Sequence, residues 1–127
     1  MADVLIATSV LIVDNSEVIL KGIKNMLSIY EDIHVVGAVC SLKEATQAVA
    51  QLKPDVTVLD LSLTEGEDQS LEDAQALIRS SRAVICISVR NAQDIANLTA
   101  ALGMTKCVDK MNLFQDLPEA IRGARTL

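Results

Sequence analysis

Four residues of this chain combine types that can do chemistry together: the carboxylates of Asp14 and Asp60, the hydroxyl of Ser88 and the amine of Lys110. Each stands at or just after the end of a short apolar run. Carboxylates brought to one place repel unless a cation lies between them, and hard oxygen ligands suit Mg²⁺. A lysine beside them adds positive charge without filling the metal site. A hydroxyl can donate to an incoming oxyanion. An anion held against Mg²⁺ and an amine, next to a carboxylate nucleophile, is a site for phosphoryl transfer, with Asp60 becoming an aspartyl phosphate. The plainer alternative is that Asp14 and Asp60 only cap the helices after their strands. Either residue alone fits that alternative; all four at strand ends favour the chemical reading.

The elements that must position these residues are legible as alternating runs. Pro54-Asp55-Val56-Thr57-Val58-Leu59-Asp60 reads as a buried strand opened by proline and closed by acid. Val10 to Val13 is another such run before Asp14. Asn15 is the expected N-cap of a helix over about 16–30, with Ile19, Leu20, Ile23, Met26, Leu27 and Tyr30 at helical spacing. Ile33 to Val39 is a strand, placed at an edge because it carries His34. Ser41-Leu42-Lys43-Glu44 is a capping box; the helix it opens carries Ala45, Ala48, Val49 and Leu52 and ends at Pro54.

An acidic loop follows Asp60, from Ser62 to Gln69 with Gly66 inside it. Ser70 opens the next helix, whose stripe is Leu71, Ala74, Leu77 and Ile78. Ala83 to Val89 is the fourth strand. Asn91 caps a helix with Ile95, Leu98, Ala101 and Leu102, closed by Gly103. Met104 to Val108 is the fifth strand, followed by Asp109-Lys110. Pro118 belongs in a first helical turn, so the last helix, with Leu117, Ala120, Ile121 and Ala124, is expected to start at 116–117. Strand and helix alternate five times without a linker, which means a parallel sheet covered on both faces. Val4 to Ala7 are apolar residues without an assigned place.

Composition narrows the classes. A chain of 127 residues is most simply one domain. Half of it is hydrophobic, yet Tyr30 and Phe114 are its only aromatic residues, so the core is aliphatic. A net charge of −6 argues against direct nucleic-acid binding, which needs clustered Lys and Arg. The odd set Cys40, Cys86 and Cys107, flanked by apolar residues, reads as reduced thiols in the cytoplasm, with a Cys86–Cys107 disulfide the minor expectation. No stretch is long enough to span a bilayer, and the first residues lack the basic region of a signal peptide.

Leu11-Ile12-Val13-Asp14, the run from Pro54 to Leu61, Ile87-Ser88 and Val108-Asp109-Lys110 together resemble the receiver domains of bacterial two-component response regulators. The resemblance covers about residues 9–124. Val35-Val36-Gly37 and Glu119-Ala120-Ile121-Arg122 are most similar to receivers that precede a helix-turn-helix DNA-binding domain. It implies a flavodoxin-like (βα)5 doubly wound parallel sheet of order 2-1-3-4-5. By position it implies Asp60 as phosphoacceptor, Asp14 and the main chain of Ser62 as Mg²⁺ ligands with Asp60, Ser88 as switch hydroxyl, and Lys110 as partner of the phosphoryl group. It also implies a histidine kinase or phosphotransfer protein as donor, at most self-phosphorylation and self-dephosphorylation as activity, and, as further expectations, a DNA-binding effector domain beyond this chain and a homodimer.

The sequence departs from that pattern. Asn15 stands where the second acid is usual, which weakens Mg²⁺ binding; Glu17 is a poorly placed substitute. Cys107 stands where an aromatic switch residue is usual. Thr64 replaces a proline, and Met111 follows the lysine. These departures define a rival: a degenerate receiver that works as an interaction module without phosphorylation. A phosphatase or nucleotide-binding protein is less well supported. Asp14-Asn15-Ser16 is not a glycine-rich turn, and haloacid-type phosphatases need an acid where Ser62 stands. His34 is read as a surface residue.

Overall fold

In the computed structural model, residues 6–64, 70–89, 92–102, 104 and 106–125 are described, apart from the side chains of 70, 92–95, 98 and 125. The elements are β1 (Thr8–Val13), α1 (Glu17–Leu27), β2 (Ile33–Val39), α2 (Leu42–Leu52), β3 (Val56–Asp60), α3 (Ser70–Ser80), β4 (Val84–Ser88), α4 (Ala92–Leu102), β5 (Cys107–Asp109) and α5 (Leu113–Arg125). Short 3₁₀ turns occupy Leu61–Thr64 and Lys110–Asn112. All strand pairs are parallel, in the order β2-β1-β3-β4-β5. The expected strand order and the edge position of β2 are both found.

Side-chain alternation divides the core into two layers. Val10, Ile12, Val56, Val58, Ile85 and Ile87 face α1 and α5; Leu11, Val13, Leu59 and Cys86 face α2 and α3. Successive strand residues point to opposite faces, so a strand covered on both sides must be apolar throughout. That is why β1 and β3 read as continuous runs. Gly37 pairs with Leu11 at an irregularity where the register skips Val36. A β-carbon there would come within 3.0 Å of the Leu11 side chain and 3.2 Å of Leu52, so glycine keeps both leucines in place.

Several boundaries move for local reasons. Ser16, not Asn15, caps α1, its hydroxyl accepting from the Ile19 N–H. Tyr30 lies beyond the helix. Ser41 caps α2 by accepting from the Glu44 N–H at 3.1 Å. Leu52 and Leu71, expected in buried stripes, are exposed. Ile6 and Ala7 stay outside β1, and Ala83 and Val89 outside β4. β5 is shorter than expected and reaches Asp109, while Met104 is buried and its N–H binds the Thr99 carbonyl. Asn91, Gly66 and Gly103, and the side chains of Ile95 and Leu98, lie outside the described residues.

The largest correction is α5. It starts at Leu113, which puts Pro118 inside the helix rather than in its first turn. An interior proline costs roughly 3 kcal/mol. Burying Leu117 and Ile121, both fully covered, contributes about 1.5–3 kcal/mol each and offsets that cost. The turn at Lys110–Asn112 leads straight into the helix, and Asp109 caps that turn by accepting from the Met111 N–H at 2.9 Å. At the far end of α5, Arg122 binds Asp32 through two nitrogens, at 2.7 and 3.0 Å, and lies over the Tyr30 ring.

Lys53, the residue after α2, holds a left-handed backbone with φ 47°. That conformation costs a residue with a β-carbon about 1–2 kcal/mol, part of which glycine returns as unfolded-chain entropy. Lys53→Gly is therefore expected to raise stability by about 0.5 kcal/mol, readable as a higher urea midpoint with unchanged slope.

Candidate functional site

The C-terminal ends of β1, β3, β4 and β5 form one rim of the sheet, where ligands bind in open α/β folds. β1 delivers Asp14 and β3 delivers Asp60, both buried, and β4 delivers Ser88, also buried. Lys110 follows β5, and its side chain crosses to both acids: Nζ lies 2.9 Å from Asp14 Oδ2 and 3.2 Å from Asp60 Oδ2.

Each carboxylate divides its oxygens between two tasks. Asp14 Oδ1 accepts from the Ser16 N–H at 2.9 Å, and Asp60 Oδ1 accepts from the Ser62 N–H at 3.1 Å. These bonds hold the turns that leave the strands. The Oδ2 atoms are left facing Lys110. The bond that holds the turn and the contact with Lys110 thus fall on different oxygens of each acid.

Ser62 contributes more than its main chain. Its hydroxyl donates to Asp60 Oδ2 at 2.6 Å, so that oxygen carries both a hydroxyl and an ammonium. The spacing of two residues after Asp60 was the available signal for this contact. Thr64 shapes the same turn: its buried hydroxyl donates to the Leu61 carbonyl at 2.7 Å. Asp109 does not join the acidic pair. It is exposed and spends its carboxylate on the Met111 N–H. Asn15 is exposed beside the site. Cys107 lies below Lys110 on β5 and pairs with Cys86 as a disulfide, which corrects the expectation of three reduced thiols. Cys40 is free.

Two buried carboxylates share one ammonium, so the centre keeps one uncompensated negative charge. Burial pulls the Lys110 ammonium toward deprotonation, but its short contact with Asp14 and the nearby charge of Asp60 outweigh that and raise it above the usual lysine value. Asp14 Oδ2 is buried and receives no well-aligned hydrogen bond; its close neighbour is the Lys110 ammonium. An under-satisfied buried carboxylate oxygen beside a second carboxylate suits a hard dication. The set is small: among the described residues no cluster of three or more His, Cys, Asp or Glu could hold a metal. The fit to a hard dication rests on the two rim carboxylates of Asp14 and Asp60.

Comparison with known proteins agrees with this geometry. Residues 10–122 match the response regulator receiver domain family. The response regulator protein VraR of Staphylococcus saprophyticus is 29% identical over 114 residues, 89% of this chain and 54% of that protein. The chain spans about half the length, or less, of the curated relatives it matches. The fold is shared with the response regulator domain of Thermotoga maritima CheB, at TM-score 0.80 and 23% identity over 95% of this chain and 98% of that one. It is also shared with the RcsB response regulator of Salmonella typhimurium, studied for conformational dynamism in DNA interaction, at TM-score 0.78 and 23% identity over 94% and 60%. No helix among the described residues is long and apolar enough to cross a membrane. Two acids, a buried hydroxyl and a lysine on one rim of a five-stranded parallel sheet, together with a family match over nearly the whole chain, lead to one conclusion: the chain belongs to the response regulator receiver domains of two-component signalling.

Proposed function

We propose that this chain is a single cytoplasmic receiver unit that accepts a phosphoryl group on Asp60 from a histidine kinase or phosphotransfer protein. The observation that carries the reading is the Lys110 ammonium shared between Asp14 and Asp60 at 2.9 and 3.2 Å. A carboxylate oxygen of Asp60 attacks phosphorus. The new P–O bond forms as the bond from phosphorus to the donor's imidazole nitrogen breaks, and the electron pair leaves with that nitrogen. Lys110 moves its charge from the carboxylates to the phosphoryl oxygens, and the Ser88 hydroxyl donates to one of them. Asp14, Asp60, the Ser62 carbonyl and, weakly, Asn15 would hold Mg²⁺, which supplies positive charge to the transferring group.

The new dianion alters the balance of charge above β4 and β5, and such changes bias two-state surfaces. Ser88 and Cys107 are the proposed switch positions. Relatives such as RcsB support an output through DNA in a longer protein, with homodimer formation as a further part of the proposal. The test is the intact mass of the protein after incubation with a small phosphodonor. One added phosphoryl group with Mg²⁺, and none with a chelator, is the expected result. No gain by the folded protein from either a small donor or a cognate kinase overturns the reading.

Ser62 supplies a finer check. Its hydroxyl stabilises the carboxylate oxygen that must become a nucleophile. Ser62→Ala is expected to speed phosphoryl gain on the order of 5-fold, the equivalent of one ordinary hydrogen bond at a rim position. The rate of mass gain at fixed donor concentration measures it.

A further inference from the structure

We infer that Cys86 and Cys107 form a reversible thiol–disulfide site that controls the phosphoryl-accepting rim. The two residues are register partners on parallel β4 and β5, with Cα atoms 4.5 Å apart. That separation lies within the range a disulfide requires. Access is one-sided. Cys86 is fully buried, whereas Cys107 is partly exposed and lines a groove of about 710 Å³ with Ile78, Arg82, Lys106, Glu119 and Ala124. A small thiol or disulfide can therefore reach the Cys107 sulfur and not that of Cys86.

The exchange balances with a low-molecular-weight disulfide as oxidant. The Cys107 thiolate attacks one sulfur of that disulfide and expels a thiolate, leaving a mixed disulfide. The Cys86 thiolate then attacks the Cys107 sulfur and expels the second small thiol. Two electrons pass from the protein to the small disulfide, and the two protein protons pass to the released thiols. Excess small thiol reverses both steps.

The site's position gives it consequence. Ser88 lies two residues beyond Cys86, and Lys110 three beyond Cys107. A crosslink between the two strands restrains the groups that must converge on the phosphoryl oxygens. This consequence rests on the phosphoacceptor reading above; the thiol chemistry does not.

The experiment uses the full chain in glutathione buffers of varied ratio, quenched, denatured and alkylated for intact-mass counting. Reduced protein should take three alkyl groups, one for each cysteine, and oxidised protein only one, at Cys40. Three groups at every ratio, or a crosslink that excess reductant cannot open in the folded protein, overturns the site. In parallel, the crosslinked form should gain phosphoryl groups from a small donor about 5-fold more slowly or worse, a usual size for coupling between two sites. Cys86→Ala and Cys86→Ser should lose that redox dependence. Equal rates in the two forms overturn the coupling. A reduced wild type that gains no phosphoryl group overturns the phosphoacceptor reading instead, and the alkylation counts still decide the thiol site.

Discussion

Asp60→Asn is expected to remove phosphoryl gain completely while leaving the protein folded. The amide cannot form the acyl phosphate, and loss of a nucleophile costs many orders of magnitude where the covalent step is the reaction. The fold should tolerate the change for a local reason. Asp60 shares one ammonium with Asp14 at the buried end of β3, so neutralising one acid relieves like-charge repulsion. An asparagine oxygen can still accept from the Ser62 N–H, which now binds Asp60 Oδ1, and its amide N–H can donate to the Ser62 hydroxyl oxygen, whose own proton now goes to Oδ2. Thermal unfolding of the variant should therefore lie at or above that of the wild type without Mg²⁺. Intact mass after exposure to a phosphodonor reads the chemistry, and calorimetry reads the fold. Retained labelling at full stoichiometry sinks the assignment of Asp60.

Lys110→Met should have the largest effect on stability. It leaves the two acids facing each other without a cation. Breaking a fully buried pair from one side costs about 3–5 kcal/mol; the lysine is partly exposed at the rim, which reduces the expected loss to about 2–4 kcal/mol. Mg²⁺ should restore more stability to the variant than it adds to the wild type, because two bare carboxylates bind a dication more tightly than two already paired with lysine. An equal Mg²⁺ response in both proteins refutes the shared-cation account. The pH dependence has a definite sign. Lys110 is raised above the usual lysine value in the folded state. Its contribution is thus fully present below the unfolded lysine value and fades as pH rises through the folded one. Urea midpoints of wild type and variant should stay apart through neutral pH and converge only in strong alkali.

Lys110 also shows why some of the site was readable in the chain and some was not. A strand buried on both faces has to be apolar nearly throughout, so β3 could be placed at Val56–Asp60 from residue types alone. The same logic put Asp14 and Asp60 at strand ends, since neither could stay unpartnered within the core. The cap of α1 was less legible. Asn15 and Ser16 are both good capping residues, and Asp14 Oδ1 settles the choice by holding the Ser16 N–H. Asp109, at the end of β5, spends its carboxylate on the Met111 N–H, a local contact.

Burial explains the larger misreadings. Pro118 argued for a late helix start because local propensity disfavours an interior proline, but packing of Leu117 and Ile121 on the sheet outweighs propensity. Cys86 and Cys107 stand 21 residues apart, and only the β4–β5 register brings them together. By itself, then, the sequence determined the order and type of the elements, the two-faced apolar core and which polar groups stand at the strand ends. All of these follow from periodicity and from the cost of burying charge. The tertiary structure alone decided which oxygen of each acid faces the lysine, that one lysine serves both, and that two cysteines meet, because each depends on distances between strand ends that no local pattern encodes.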